Sequence, residues 1–199
     1  MPEELVVPDF ALLWHDVAHA MAAQVDRGRE HLLTEDVLRF TTIDALTTQE
    51  VEAKRLAVEY GLPDRGKLDL VVDAPPSVAI EFKYPRDSRT GISPDTMTTG
   101  ELLKDFYRLG DLIHVPDRWA VLLLNDRLRG HLERRTDCRW SFEPGSILTF
   151  DPNGHARLPA TAGGSLGRWA QATVQARCEA SHQFGRLRLA AYRVGGQSF

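Results

Sequence analysis

Only two cysteines occur in 199 residues, Cys138 and Cys178, and neither has a Cys-x-x-Cys partner. That spacing excludes a disulfide framework and a thiolate zinc site, and it suits two buried thiols in a reducing compartment. No uncharged apolar run approaches the roughly 20 residues needed to cross a bilayer. The N-terminal Met-Pro-Glu-Glu has no basic segment leading into an apolar one, so a soluble, cytoplasmic protein with no membrane partner is expected. Glycine-rich phosphate loops are missing as well: neither Gly-x-x-x-x-Gly-Lys-Ser/Thr nor Gly-x-Gly-x-x-Gly occurs, which leaves an ATP-motor or dinucleotide-binding role without support. Repeats, low-complexity tracts and linker-like segments are also lacking. The remainder, 43% hydrophobic and 26% charged, is ordinary for a globular protein, and one domain spanning 1–199 is expected at this length.

Positive charge is scarce at the start of the chain. Residues 1–60 hold 5 Lys/Arg against 12 Asp/Glu, whereas residues 61–199 hold 19 against 16. A net charge of −4 argues against indiscriminate binding to polyanions but permits it wherever basic residues share one face.

Apolar periodicity then gives the elements. Phe10, Leu13, Trp14, Val17, Met21 and Val25 recur at helical spacing and Gly28 follows, which predicts a helix over 9–27. Thr34 is an N-cap candidate for a second helix, with Glu35 and Asp36 in its first turn, running to about Arg55. Leu56–Tyr60, Lys67–Asp73 and Val78–Tyr84 are strand-like runs divided by Gly/Pro/Asp turn chemistry, and they read as an antiparallel meander. Thr98-Thr99-Gly100-Glu101 has the form of a capping box and predicts a helix over 99–113. The unbroken apolar run Trp119–Leu124 reads as a strand buried on both faces. Beyond it, a strand at Ser146–Phe150, a helix over Leu166–Ala180 and a strand over Gly185–Val194 are expected.

Three charged residues interrupt the meander. Side chains alternate along a strand, so Glu81 and Lys83 share a face opposite Ile80 and Phe82. If the hairpin turns about Pro75, facing positions sum to 150 and Asp69 lies across from Glu81. Two adjacent carboxylates raise each other's pKa unless a cation sits between them, and hard oxygen ligands suit Mg²⁺, with Mn²⁺ as substitute.

Asp69, eleven residues, then Glu81-Phe82-Lys83 resembles the signature of the PD-(D/E)xK nuclease superfamily, the restriction-endonuclease-like fold. The order helix, three-strand meander, helix, strand over 34–124 resembles its core as well. The fold class expected is therefore α/β, with 1–33 as an N-terminal helix and 125–199 as a C-terminal elaboration. The resemblance implies that Asp69 and Glu81 bind the metal, that the Phe82 carbonyl completes the site, and that Lys83 positions or activates water. It also implies an upstream helical acid, for which Glu35 is the candidate and Asp36 the alternative. Leu68 stands where the family pattern has Pro. Phosphodiester hydrolysis follows as the expected activity, in DNA before RNA, by a homodimer or by a subunit delivered by a larger complex. The alternative is a catalytically inactive nuclease-fold module that binds nucleic acid or a protein.

Other signals are weaker. Arg86 and Arg89, in the loop leaving the Glu81 strand, and Lys104 and Arg108, one turn apart on a helix, are candidate nucleic-acid contacts. Residues 127–139 carry a net charge of +3, which suits phosphates or a solvated surface equally. His15 and His19 have the i, i+4 spacing of a zinc pair, but about 100° per residue puts them opposite the apolar stripe.

Overall fold

The computed structural model describes residues 6–63, 66–85, 95–135, 140–164 and 166–195. The chain is mixed α/β, built on a seven-stranded sheet in the order β1-β2-β3-β4-β7-β6-β5. The strands are β1 (Leu56–Leu62), β2 (Gly66–Val72), β3 (Val78–Lys83), β4 (Asp117–Asn125), β5 (Ile147–Phe150), β6 (Val174–Phe184) and β7 (Leu187–Val194). Every neighbouring pair is antiparallel except β3 and β4, which run parallel. The longer helices are α1 (Phe10–Asp26), α2 (Glu35–Thr48), α3 (Asp95–Gly110) and α4 (Asp126–Glu133). No helix among the described residues is long and apolar enough to cross a membrane.

Alternation along β4 splits the core in two. Trp119, Val121 and Leu123 join Leu13, Trp14 and Val17 of α1 and Leu38 of α2 on one face. Ala120, Leu122 and Leu124 join Leu102, Phe106 and Leu109 of α3 on the other. A strand buried on both faces needs apolar residues at every position, which is why this run reads as continuous.

The helix starts follow cap chemistry. The Asp9 carboxylate accepts from the Ala11 and Leu12 N–H groups, and Thr34 Oγ accepts from the Val37 N–H at 3.1 Å. His15 and His19 lie on the exposed side of α1, and the His15 ring meets His182 edge-on at 5.8 Å. The second helix stops at Thr48, not near Arg55. The Thr47 and Thr48 hydroxyls bond back to the Ile43 and Asp44 carbonyls, and Glu50, at φ +64°, turns the chain toward β1. The expected capping box is not the start of α3. That helix begins at Asp95 and ends at Gly110; Thr98 and Thr99 are buried within it, and Thr99 Oγ donates to the Asp95 carbonyl at 2.7 Å. A Thr-x-x-Glu pattern inside an apolar-faced helix therefore gave a false start.

The helix expected over Leu166–Ala180 is replaced by a short 3₁₀ turn at Gly167–Gln171 followed by β6. Val174, Ala176, Cys178 and Ala180 are buried while Gln175, Arg177 and Glu179 are exposed, a period of two. Ala, Gln, Arg and Glu favour helix in isolation, but pairing with both β5 and β7 overrides that preference. Cys178 is a buried free thiol, and Gly185, at φ +56°, makes the β6–β7 turn. Cys138 and Arg139 lie outside the described residues.

The β2–β3 turn is locked by charge. The Asp73 carboxylate accepts from Arg55 Nε at 2.7 Å, from Arg55 Nη2 at 3.1 Å and from Ser77 Oγ at 2.5 Å. The resulting register pairs Leu70 with Ile80, Val71 with Ala79 and Val72 with Val78, all summing to 150. The Arg55 bonds, resisted by partial burial and helped by Ser77, hold the Asp73 carboxyl below its ordinary 3.8. A lowered folded-state value stabilises fully above the unfolded value and is lost as pH falls through it. Wild type is therefore expected to lose stability relative to Asp73→Asn as pH drops below about 4, with a near-constant difference above pH 5 to 6, as read by urea denaturation across that range.

Candidate active site

The acid pair forms where two strands part. The β2–β3 ladder runs to Leu70↔Ile80, and one residue further the Asp69 carboxylate itself accepts the Phe82 N–H at 2.8 Å. On the other side, the β1–β2 register passes from Val58↔Leu70 to Tyr60↔Leu68, stepping over Asp69 and Glu59, the latter at φ +49°. The irregularity frees Asp69 from ordinary strand pairing and lets its side chain bridge to β3. The facing of Asp69 and Glu81 expected from the register thus becomes a carboxylate-to-backbone bond one residue beyond the last rung.

Each acid carries a cation from a flanking helix. Arg39 of α2 donates from Nη2 to Asp69 Oδ1 at 3.2 Å and also contacts Asp36 at 3.2 Å. Arg108 of α3 contacts Glu81 Oε2 through Nη2, and the same nitrogen is 3.5 Å from Asp105 Oδ1. Lys83 Nζ lies 3.2 Å from Asp105 Oδ2. Glu35 Oε2, at the start of α2, accepts the Tyr84 N–H at 3.3 Å, while Asp36 is exposed. Of the two helical acids considered, Glu35 is thus the one that reaches the end of β3.

Glu35, Asp69, Glu81 and Lys83 are all brought into one electrostatic cluster. Arg108 joins it from the inside, turned onto Glu81 and Asp105, whereas Lys104 is exposed on α3. Arg86 and Arg89 lie outside the described residues. Of the +3 stretch, Arg127 pairs with Asp95 at 3.0 Å and Arg129 with Glu133 at 3.0 Å. Asp105 and Arg39 are cluster members that the sequence reading did not assign. Asp105 falls between Leu102 and Leu109 at i+3, i+4 spacing, so an acid set inside the apolar stripe of α3 was the available signal. For Arg39, the signal was its position one turn after Glu35.

Burial dominates the site's electrostatics. Glu81 is 2% exposed, and desolvation pushes its carboxyl up to about 9 against the pull of Arg108, with Asp105 and Asp69 adding to the rise. Burial raises the Asp105 carboxyl despite Lys83 and Arg108, and raises that of Glu35 despite Lys83 and the Tyr84 N–H. For Lys83, burial acts downward, but Asp105 and Glu35 outweigh it and hold the amine above its ordinary 10.5, as an ammonium.

When all four are ionised, the acids Glu35, Asp69, Glu81 and Asp105 outnumber the cations Arg39, Lys83 and Arg108 by one charge, an excess that burial suppresses by raising the Glu81 carboxyl and that a bound cation would offset. Glu81 Oε1 is sealed from solvent and meets no donor among the described residues. A carboxylate surplus with a sealed, donorless oxygen fits a hard divalent cation such as Mg²⁺ or Mn²⁺. Among the described residues no three acid, imidazole or thiol side chains already stand around a common point in ligating geometry. A cation here would be held by Asp69, Glu81 and the Phe82 carbonyl. Beside the cluster, at the C-terminal ends of β3 and β4, a cleft of about 340 Å³ is lined by Tyr84 and Asn125 and by charges of both signs, Arg127 and Arg186 with Glu30 and Asp126.

Searches against protein-family models, curated proteins and solved structures find no match to the chain in any of the three. The functional reading therefore stands on the residues and their geometry.

A carboxyl raised on folding binds more protons folded than unfolded, so stability falls as pH rises between the ordinary 4.5 and about 9. Glu81→Gln cannot titrate. In EDTA, its stability relative to wild type is expected to increase steadily from pH 5 to pH 9 in thermal or urea unfolding; a difference independent of pH would show that Glu81 is not held protonated.

Proposed function

We propose that this chain is a divalent-cation-dependent nuclease of the PD-(D/E)xK type, hydrolysing phosphodiester bonds in DNA before RNA. The observation that carries the reading is the convergence of Asp69, Glu81 and Lys83 from neighbouring strands, with Glu35 beside them. The order supports it too: helix, antiparallel meander, helix, then a strand parallel to the one bearing Glu81 and Lys83.

Asp69 and Glu81, with the Phe82 carbonyl, would hold Mg²⁺ or Mn²⁺; when bound, such an ion polarises phosphate and acidifies water. In hydrolysis a water oxygen bonds to phosphorus, and one bridging phosphorus–oxygen bond breaks. Lys83, held as an ammonium by Asp105, stabilises the negative charge that grows on the phosphoryl oxygens. Its raised pKa argues for that electrostatic role over proton abstraction. Glu35, made more basic by burial, takes up in its ionised form the proton released by the attacking water, and a solvent water protonates the departing sugar oxygen. Asp105 acts through Lys83 and Arg108 and is a positioning residue. In the adjacent cleft Tyr84 gives a flanking nucleotide an aromatic surface, while Arg127 and Arg186 are offset by Asp95 and Glu30.

A second reading, a nuclease-fold module without catalysis, draws on the ion pairs that already engage Asp69 and Glu81. Cleavage of plasmid DNA and of RNA in Mg²⁺, Mn²⁺ and EDTA separates the two. Wild type should cut only with metal, and Asp69→Ala, Glu81→Ala and Lys83→Ala should each lose about 10²-fold or more in rate. Binding of nucleic acid without cleavage under any condition would favour the silent module, and cleavage in EDTA would sink the metal-dependent reading.

A further inference from the structure

Glu81 sits in a place where a carboxylate cannot be left without a counter-charge. It is 2% exposed, Oε2 is engaged by the Arg108 guanidinium and Oε1 meets no donor among the described residues. Arg108 comes from a different layer of the fold, the helix packed over the α3 face of the sheet, and it has a second acid within reach. Asp105, one turn earlier on the same helix, is 3.5 Å from the nitrogen that contacts Glu81. A divalent cation on Glu81 and a guanidinium on the same carboxylate would repel each other at short range in a poorly solvated setting.

We propose that Arg108 is a tethered counter-cation for Glu81: its guanidinium occupies the carboxylate when no divalent ion is bound, competes with that ion for it, and shifts onto Asp105 when the ion enters. The inference rests on the metal-dependent reading above and deepens it. The cation's apparent affinity is then set by a side chain that is not one of its ligands. Asp105 has two tasks, fixing Lys83 and receiving Arg108. The arrangement also explains why a buried acid survives in the sheet without metal. Removing the ion leaves Glu81 either protonated or paired with Arg108, so the core is not left with an isolated charge.

Isothermal titration of Mn²⁺ alone into the full chain tests this without recourse to activity. Arg108→Gln, which removes the competing charge, should bind Mn²⁺ at least about tenfold more tightly than wild type. Arg108→Lys, with a shorter and single-pointed cation, should fall between. Glu81→Gln should bind more weakly, and adding Arg108→Gln to it should give no gain. A merely structural role for Arg108 would weaken binding or leave it alone, never tighten it. Equal or weaker binding by folded Arg108→Gln, with binding still dependent on Glu81, overturns the counter-cation and leaves the nuclease reading standing. Should Arg108→Gln not fold, wild-type affinity in Arg108→Lys overturns the proposal in its place. Absence of saturable Mn²⁺ binding in wild type and variants alike, or binding indifferent to Glu81→Gln, sinks the metal reading itself and the counter-cation with it.

Discussion

A carboxyl group set inside a sheet has to be protonated or answered by a positive charge, and in this protein that requirement organises the end of the sheet where Asp69 and Glu81 lie. Asp69 and Glu81 lie on neighbouring strands, and each is met by an arginine from a separate helix, Arg39 of α2 and Arg108 of α3. Each arginine ties its helix to the strands bearing the acids: α2 across 30 residues of sequence to β2, and α3 back onto β3. The ion pairs thus serve as positional contacts as well as electrostatic ones, and the parallel pairing of β3 with β4 beneath α3 gives Arg108 and Asp105 a rigid platform.

Such a cluster opposes stability. Buried ion pairs contribute little net stabilisation because desolvation offsets their attraction. Three clustered acids have raised pKa values, and four acids face three cations. The rest of the fold offsets this with two apolar layers, one on each face of β4, and with the neutralised turn at Arg55, Asp73 and Ser77. Raised carboxyl pKa values concentrated at one end of the sheet, next to a cleft, support the active site proposed there.

The parts legible in the sequence are those fixed by local chemistry. Alternation and Pro/Gly turns placed β1, β2 and β3 to within two residues, and the turn about Pro75 gave the register that aligns the Asp69 and Glu81 strands. Apolar spacing placed the start of α1, and the Thr34 cap placed that of α2. What stayed hidden depends on tertiary pairing. Val174–Phe184 has helix-forming composition, and only its two strand partners reveal its period. The positions of Asp105, Arg39 and Arg108 depend on which helix covers which face, something no window of neighbouring residues contains.

Diffraction from a crystal of the full chain soaked in Mn²⁺ and measured at the manganese edge tests the central claim most directly. An anomalous peak bounded by Asp69, Glu81 and the Phe82 carbonyl is the predicted result. A map with no peak there at saturating Mn²⁺, or with manganese bound only at surface carboxylates, would contradict it.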